Sequence, residues 1–398
     1  MDILYCQKMY FPNSSAHALH TLMTSANFAA QGAPTWLFPA IAKEAGQESM
    51  AAAFRKLGYE KVPEKLGLRC VYSTHKGWYG LVFRAFLFSA MGQKPDKLCW
   101  ASSVKEAVMA LGMRALLLKK ASVPVVFEIH HLISQLKSGR EAERLFAMEC
   151  KAFTEADMVV FNCQTLQDKA KGYLPEPRRS VVMPLGYNDR IIRPVRPLDA
   201  DEPGAASGTI TLTYVGSMQP GKGVENLLCA LALLPDAYFL KIIGGWPEKR
   251  LPELKSKAEA MGLGERVRFT GLLDQNLVGE ALEDCDIFVI PLQTDKDFFA
   301  PIKMFEALGF AMPVVATPME SLRLGLKEGE NALFSAGTDP QSLAVGIRQL
   351  GENPALRQRM RKMNAEKARA QTSSARAAKL LALFHNEFGM QAMPRSEV

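Results

Sequence analysis

The chain has no apolar run long enough to span a bilayer. The longest plain one, Leu227–Leu234, is the size of a helix's buried stripe. The opening Met-Asp-Ile-Leu-Tyr-Cys lacks the basic stretch and apolar core of a secretory signal. Low-complexity tracts and short-period repeats are absent too, so the chain reads as ordinary globular protein. Cysteine is sparse and odd in number: Cys6, Cys70, Cys99, Cys150, Cys163, Cys229 and Cys285, with no C-x-x-C pair and several inside apolar runs. Buried, reduced thiols in a cytoplasmic protein are the expectation.

What is present is bulk. A chain of 398 residues with 48% hydrophobic content suits two domains, each with its own core. The net charge of +7 is spread through Lys and Arg on apparent helices. Such a balance serves anionic substrates or an anionic membrane surface, or is simply a solvated basic face. No nucleic-acid partner is expected.

Strand-like and helix-like runs alternate through both halves. In the first, Asp2–Gln7, Thr35–Phe38, Val123–Ile129 and Met158–Phe161 read as strands and Ala16–Gly32 as a helix. In the second, Ile210–Val215, Tyr238–Ile243, Val267–Phe269, Ile287–Leu292 and Val314–Ala316 read as strands between helical segments. Residues from Pro340 onward read as mostly helical. This alternation predicts α/β architecture with parallel sheets covered on both faces. Between the halves, the stretch from Asp189 to Gly208 carries Pro194, Pro197, Pro203 and Gly204 and reads as a linker. The expected plan is a first Rossmann-like domain over 1–188, a linker over 189–208, a second over 209–375, and a C-terminal helix and tail over 376–398. Ligands of such sheets bind beyond the carboxyl ends of the strands.

The most informative segment runs from Asp297 to Ala316. A strand ends near Leu292, a loop follows, and a helix starts near Pro301, where proline's missing N–H costs nothing. The free amides of a first helical turn, with the helix dipole, make an anion site that fits a diphosphate. Lys303 and Glu306 are three apart and share a helix face. A carboxylate there can accept from two vicinal ribose hydroxyls; the bland alternative is a surface ion pair. A second turn, Val215-Gly216-Ser217 to Gly221-Lys222-Gly223, follows a strand and opens a helix. It has the spacing of a P-loop except that Gly223 stands where magnesium needs a Ser or Thr hydroxyl, and no convincing Walker B carboxylate accompanies it.

Together these segments resemble the donor site of family 4 glycosyltransferases, which have the GT-B fold of two Rossmann-like domains facing a cleft. Ala300, Pro301, Lys303, Glu306 and Pro313–Ala316 match that family's signature, and Gly216 to Lys222 its Gly-rich turn. Ile242–Gly245, Val267–Gly271, Leu282–Pro291 and Glu328–Phe334 follow in the family's order, about 170 residues in all. The resemblance implies a metal-independent, retaining transfer of a sugar from a UDP- or GDP-sugar to an acceptor hydroxyl, in glycan or glycolipid synthesis. It implies donor contacts from Gly216, Ser217, Lys222, Gly244, Phe269, Ala300, Pro301, Ile302, Lys303 and Glu306. Lys222 stabilises the leaving diphosphate and Glu306 holds the ribose. It also matches Glu128-Ile129-His130 to a strand end whose His lies near the sugar, so His130, Lys222 and Glu306 are the catalytic candidates. A C-terminal helix crossing back to the first domain is part of the same expectation.

The chain departs from the pattern in two places. A second family Glu, near the sugar, is replaced by Phe298, with Asp297 adjacent; and a Gly pair in the first loop is replaced by Asn13-Ser14-Ser15. Asn13, Ser14, Asp297 and Phe298 are therefore the open sugar contacts. Asp295-Lys296-Asp297 spells the D-x-D of a metal-dependent fold but reads as coincidence, and no metal or other cofactor is expected beyond the nucleotide-sugar substrate. The aromatic, basic stretch 76–97 either lies on an anionic membrane face, giving a peripheral cytoplasmic location, or is a buried helix. The acceptor is a glycan, a glycolipid or a small molecule. Rival readings are a nucleotide-sugar epimerase of the same fold, a non-catalytic nucleotide-sugar-binding protein and a P-loop NTPase.

Overall fold

The computed structural model describes residues 1–7, 10–11, 16–41, 46–69, 71–72, 83–85, 87–91, 96–116, 123–199, 208–294 and 302–388. The chain divides into two compact units: Met1–Pro184 with Ser373–Val398, and Leu185–Thr372.

The strands of the first unit are β1 (Asp2–Tyr5), β2 (Tyr10–Phe11), β3 (Thr35–Leu37), β4 (Ala40–Ile41), β5 (Leu66–Leu68), β6 (Val71–Tyr72), β7 (Lys97–Ala101), β8 (Val125–Ile129), β9 (Met158–Phe161) and β10 (Ser180–Val182). Seven form one parallel sheet in the order β10-β9-β8-β7-β1-β3-β5, and the short β2, β4 and β6 pair separately. Order runs outward from β1 in one direction and from β7 in the other, the doubly wound pattern in which the chain reverses between those strands. β7, Lys-Leu-Cys-Trp-Ala, is fully buried at the centre of the sheet. Sequence reading passes over it because it opens on a lysine and holds no β-branched residue. The Lys97 ammonium reaches the carbonyl of Ala90, which compensates the burial of its charge.

The second unit contains β11 (Ile210–Val215), β12 (Tyr238–Ile243), β13 (Val267–Gly271), β14 (Ile287–Ile290), β15 (Val314–Ala316) and β16 (Leu333–Phe334), all parallel, ordered β13-β12-β11-β14-β15-β16. Renumbered from β11 this is 3-2-1-4-5-6, the Rossmann order, with its switch point between β11 and β14. Near-continuous apolar strands such as Ile-Phe-Val-Ile of β14 are buried throughout, as a sheet covered on both faces requires.

Two further features concern the chain between and after the sheets. Residues 189–199, proline-bearing and read as linker, lie packed on the second unit. Ile192 is buried in its core, Arg196 Nη2 donates to Cys285 O at 2.9 Å, and buried Arg361 donates to the carbonyls of Arg196 and Pro197 at 3.1 and 3.0 Å. Composition marks those residues as unable to continue a helix or strand; it does not report what their carbonyls bind. The last helix, Ser373–Phe388, belongs to the first unit. Its Ala377, Leu380, Leu381 and Phe384 enter the core of β1, β3 and β7, with Phe384 5.7 Å from the Trp100 ring. Burying such an aromatic contributes about 1.5–3 kcal/mol, enough to hold the helix on that sheet.

Candidate functional site

At the carboxyl end of β11 the backbone turns through Gly216 and Ser217. The Tyr214 hydroxyl donates to Ser217 O at 2.6 Å, Gly216 N to Ile243 O at 2.9 Å, and Met218 N to Trp246 O at 2.7 Å. The turn is therefore tied to the end of β12. A side chain is excluded at two points. Gly244 has φ 147°, and a Cβ there would fall 1.9 Å from Gly216 O. Gly223 has φ 81°, and its Cβ would fall 1.6 Å from Pro291 O. The position where a P-loop carries Ser or Thr thus has no room for either, because the end of β14 occupies the space. Lys222 directly precedes Gly223, at the start of the helix Val224–Ala232.

Opposite this turn, across the switch point, is the helix Ile302–Gly309. Lys303 and Glu306 face one another on it, Nζ to Oε2 at 3.4 Å, with the Glu306 side chain 9% exposed and that of Lys303 39%. Gln275, in the turn after β13, donates from Nε2 to the other oxygen, Oε1, at 3.1 Å. A Cβ built on Gly216 would lie 3.4 Å from Lys303 Cε, so the Gly-rich turn and the helix start are immediate neighbours. The result brings the Gly-rich turn, Lys303 and one nearly buried carboxylate together at the carboxyl edge of a parallel sheet. Amides and lysines suit an anion, and a pinned carboxylate suits a vicinal diol.

In the first unit, His130 follows β8 directly. Its Nε2 lies 3.4 Å from Oε2 of Glu128, which is fully buried within the strand. The same oxygen is 3.5 Å from His20 Nε2, and the His20 and His130 rings meet edge to face at 5.3 Å. Arg376, from the C-terminal helix, donates from Nη2 to Glu128 Oε1 at 2.5 Å. Burial works to raise the Glu128 pKa, but Arg376 first, then the two histidines, hold it well below the usual carboxylate range. Burial in turn lowers the pKa of His20. His20, Glu128 and His130 offer ligand atoms within 4.8 Å of one another. A guanidinium already bonded to the carboxylate would repel a divalent ion, so the trio reads as a charge network rather than a metal centre.

Comparison with known proteins identifies one domain of the chain. Residues 195–367 match the profile described as glycosyl transferases group 1. That stretch is a group 1 glycosyltransferase domain. The chain is 27% identical over 282 residues to a D-inositol 3-phosphate glycosyltransferase of Corynebacterium glutamicum, covering 66% of this chain and 67% of the relative. It is 28% identical over 178 residues to a phosphatidyl-myo-inositol mannosyltransferase of Mycobacterium leprae, covering 44% of this chain and 46% of that one. Matches to two other inositol-phosphate relatives span 54% and 65% of their length. The crystal structure of the Anabaena protein HepE with UDP superposes with TM-score 0.73 at 16% identity, covering 97% of this chain and 100% of that one. At that identity the likeness concerns fold, and the fold is GT-B, as the sequence resemblance implied.

Most described candidates of the second unit gather at one corner. Gly216, Ser217 and Gly244 form the turn, Ile302, Lys303 and Glu306 the helix start, and Phe269, on β13, is half-buried. Lys222 follows the Gly-rich turn in the same unit, and His130 belongs to the other unit. Asn13, Ser14, Asp297, Phe298, Ala300 and Pro301 lie outside the described residues, as do Asp295 and Lys296 of the D-x-D triplet. Of the aromatic stretch 76–97, Phe83, Leu87 and Met91 are buried in the first core, at helical spacing, while Phe88 is exposed. Among the described residues no helix is long and apolar enough to cross a membrane. None of the six described cysteines forms a disulfide.

Sequence reasoning missed Gln275, Glu128, His20 and Arg376. Only Glu128 carried a signal, two residues before His130. The others act through contacts 31, 108 and 248 positions along the chain from their carboxylate partners.

Proposed function

We propose that the glycosyltransferase moves a sugar, with retention at the anomeric carbon and without a metal ion, from a UDP- or GDP-sugar to an acceptor hydroxyl. The observation that carries this is the corner at the β11/β14 switch point: Glu306, nearly buried and held on both oxygens by Gln275 and Lys303, beside a Gly-rich turn that ends in Lys222. In this reading Glu306 accepts the two ribose hydroxyls, displacing Gln275 or Lys303 from one oxygen. Lys222, Lys303 and the first-turn amides at 300–302 receive the diphosphate. Negative charge grows on that diphosphate as the glycosidic bond breaks, so fixed positive groups stabilise the transition state more than the ground state. His130 serves the transferred sugar as a hydrogen-bonding group. Asn13, Ser14, Asp297 and Phe298 are the remaining candidates for the sugar side.

The relatives' names point to acceptors bearing polyol and phosphate groups, some of them lipid-borne, and the acceptor class proposed is a glycan, glycolipid or small polyol of the cell surface pathways. A cytoplasmic enzyme with peripheral contact to an anionic membrane through residues 76–97, Phe88 among them, fits that class. Sedimentation with vesicles containing anionic lipid tests the contact.

Thermal shift with UDP, GDP, ADP and ATP, each with and without magnesium, tests the donor assignment. Metal-independent stabilisation by UDP or GDP is expected. Stabilisation by magnesium-ATP alone would overturn the reading in favour of an NTPase. Product analysis by mass spectrometry then separates transfer from epimerisation, which releases an altered sugar without an acceptor.

A further inference from the structure

His130 is not held by its own strand alone. Behind it stands Glu128, an acceptor-only group once ionised, with one oxygen bonded to Arg376 and the other turned to the Nε2 atoms of His130 and His20. Arg376 also donates from Nε to Pro184 O at 3.1 Å. It therefore binds the last residue of the first unit's long segment as well as Glu128, and it sits three residues after the chain re-enters that unit at Ser373. Its guanidinium lies 6.0 Å from the Trp100 ring on β7. The clamp is thus fixed on three sides: by the C-terminal helix, by the end of the chain's first pass, and by the central strand.

We infer that Glu128, clamped by Arg376, is a positioning residue that sets the tautomer and ring direction of His130. The inference rests on the proposed role of His130 at the sugar. Of the two single-proton tautomers, a carboxylate facing Nε2 favours the one with its proton on that nitrogen, which leaves the lone pair on Nδ1. A histidine so oriented presents the sugar with a ring of defined direction, and losing a hydrogen bond to a charged group changes function about 10–100-fold. His20 completes the arrangement. It is buried, its Nε2 lies 3.5 Å from both Glu128 Oε2 and Thr24 Oγ1, and its ring blocks His130 from rotating toward the helix Ala16–Ala30. Tyr5 is the remaining titratable group whose charge state Glu128 influences, and burial and Glu128 both raise its pKa, so it stays neutral. Arg376 and the two histidines thus favour a charged Glu128, while burial favours the neutral form of His20.

The test uses the full chain labelled with 15N-histidine. Two-bond proton–nitrogen spectra report the tautomer of each ring, with the His130 signals assigned by their loss in His130→Ala. In the wild type His130 should show the Nε2–H form. Glu128→Gln should shift it toward a mixture and lower turnover about 10–100-fold, with UDP and GDP binding unchanged. Glu128→Gln leaves Arg376 with a neutral partner and risks the fold, so the paired variant Glu128→Leu with Arg376→Met, which removes both charges, should show the same spectral change and the same loss. An unchanged His130 tautomer in both variants, or full turnover of UDP-glucose or GDP-mannose by either, overturns the inference. Wild-type turnover in His130→Ala would instead overturn the role of His130 itself. Loss in His130→Ala without loss in the Glu128 variants would leave that role standing and remove only the clamp.

Discussion

The two units have the same kind of sheet but build their polar sites in opposite ways. In the second, the site residues come from successive βα turns read in order: Gly216 to Lys222 after β11, Gly244 after β12, Gln275 after β13, and Lys303 with Glu306 after β14. Each contributes backbone geometry or one side chain, from half-exposed Lys303 to nearly buried Glu306. In the first, the site hangs on a charge pair buried inside the sheet, Glu128 with Arg376, whose members stand 248 residues apart. In the proposed reading, turns repeated at strand ends hold a nucleotide, whereas one imidazole is oriented by a rigid, dry support.

That contrast can be broken in stages. The sharpest stroke is His130→Ala. Turnover of the donor should fall about 100–10,000-fold, the range for removing a positioned acid–base or hydrogen-bonding group, while UDP or GDP binding by calorimetry stays as it was. A parallel fall in nucleotide affinity would show that the two sites do not divide the labour as described. Next comes Arg376→Met, which strands a buried carboxylate. Breaking such a pair costs about 3–5 kcal/mol, and denaturant unfolding followed by hydrogen exchange should place the loss in peptides of the first unit only. Glu306→Ala reverses the comparison, with nucleotide affinity weakened about 10–100-fold, the value of hydrogen bonds to a charged group, and the first unit untouched. Unchanged affinity would remove Glu306 from the ribose.

The smaller effects refine the picture. His20 has its folded pKa lowered by burial among Glu128, His130 and Arg376. The unfolded chain then binds more protons than the native one as pH falls below about 6.5. Stability contributed by keeping His20 neutral is full above that pH and is lost as pH drops toward the folded value. Glu128, whose folded pKa is depressed, adds a second loss only below the ordinary carboxylate range. Hydrogen exchange across pH 7 to 5 should therefore show the first unit loosening before the second, and His20→Gln should flatten that slope. Last, Gln275→Ala should change nucleotide affinity about 2–10-fold, since one neutral amide bond contributes about 0.5–1.5 kcal/mol.

Much of the second unit was legible in the sequence for a physical reason. Tyr238–Ile243 and Val267–Phe269 are short apolar runs stopped by glycine or threonine, and Pro340 opens a helix capped by the Asp339 side chain at 2.9 Å. Local patterns of that sort record local backbone preferences. β7 was not legible, because the burial of Lys97 and Trp100 follows from neighbours on both sides rather than from any alternation in Lys-Leu-Cys-Trp-Ala. The stretch around Phe83, Leu87 and Met91 allowed two readings, and only packing in the first core chose the inward one for those three.

By itself the sequence determined the class of the two sheets, and it marked the second unit's strands, the turn at Gly216–Lys222 and the shared helix face of Lys303 and Glu306. These are set by periodicity, by glycine and proline, and by spacings of three or four residues, all of which act within a few positions along the chain. The tertiary structure alone decided that residues 189–199 are packed, that Gly223 admits no hydroxyl-bearing side chain because Pro291 O fills the space, that Gln275 pins Glu306, and that Arg376 reaches Glu128 behind His130. Each of those is a contact between distant segments. Burial of a charge or closeness of two backbones depends on what the folded chain brings alongside, and no local pattern carries that.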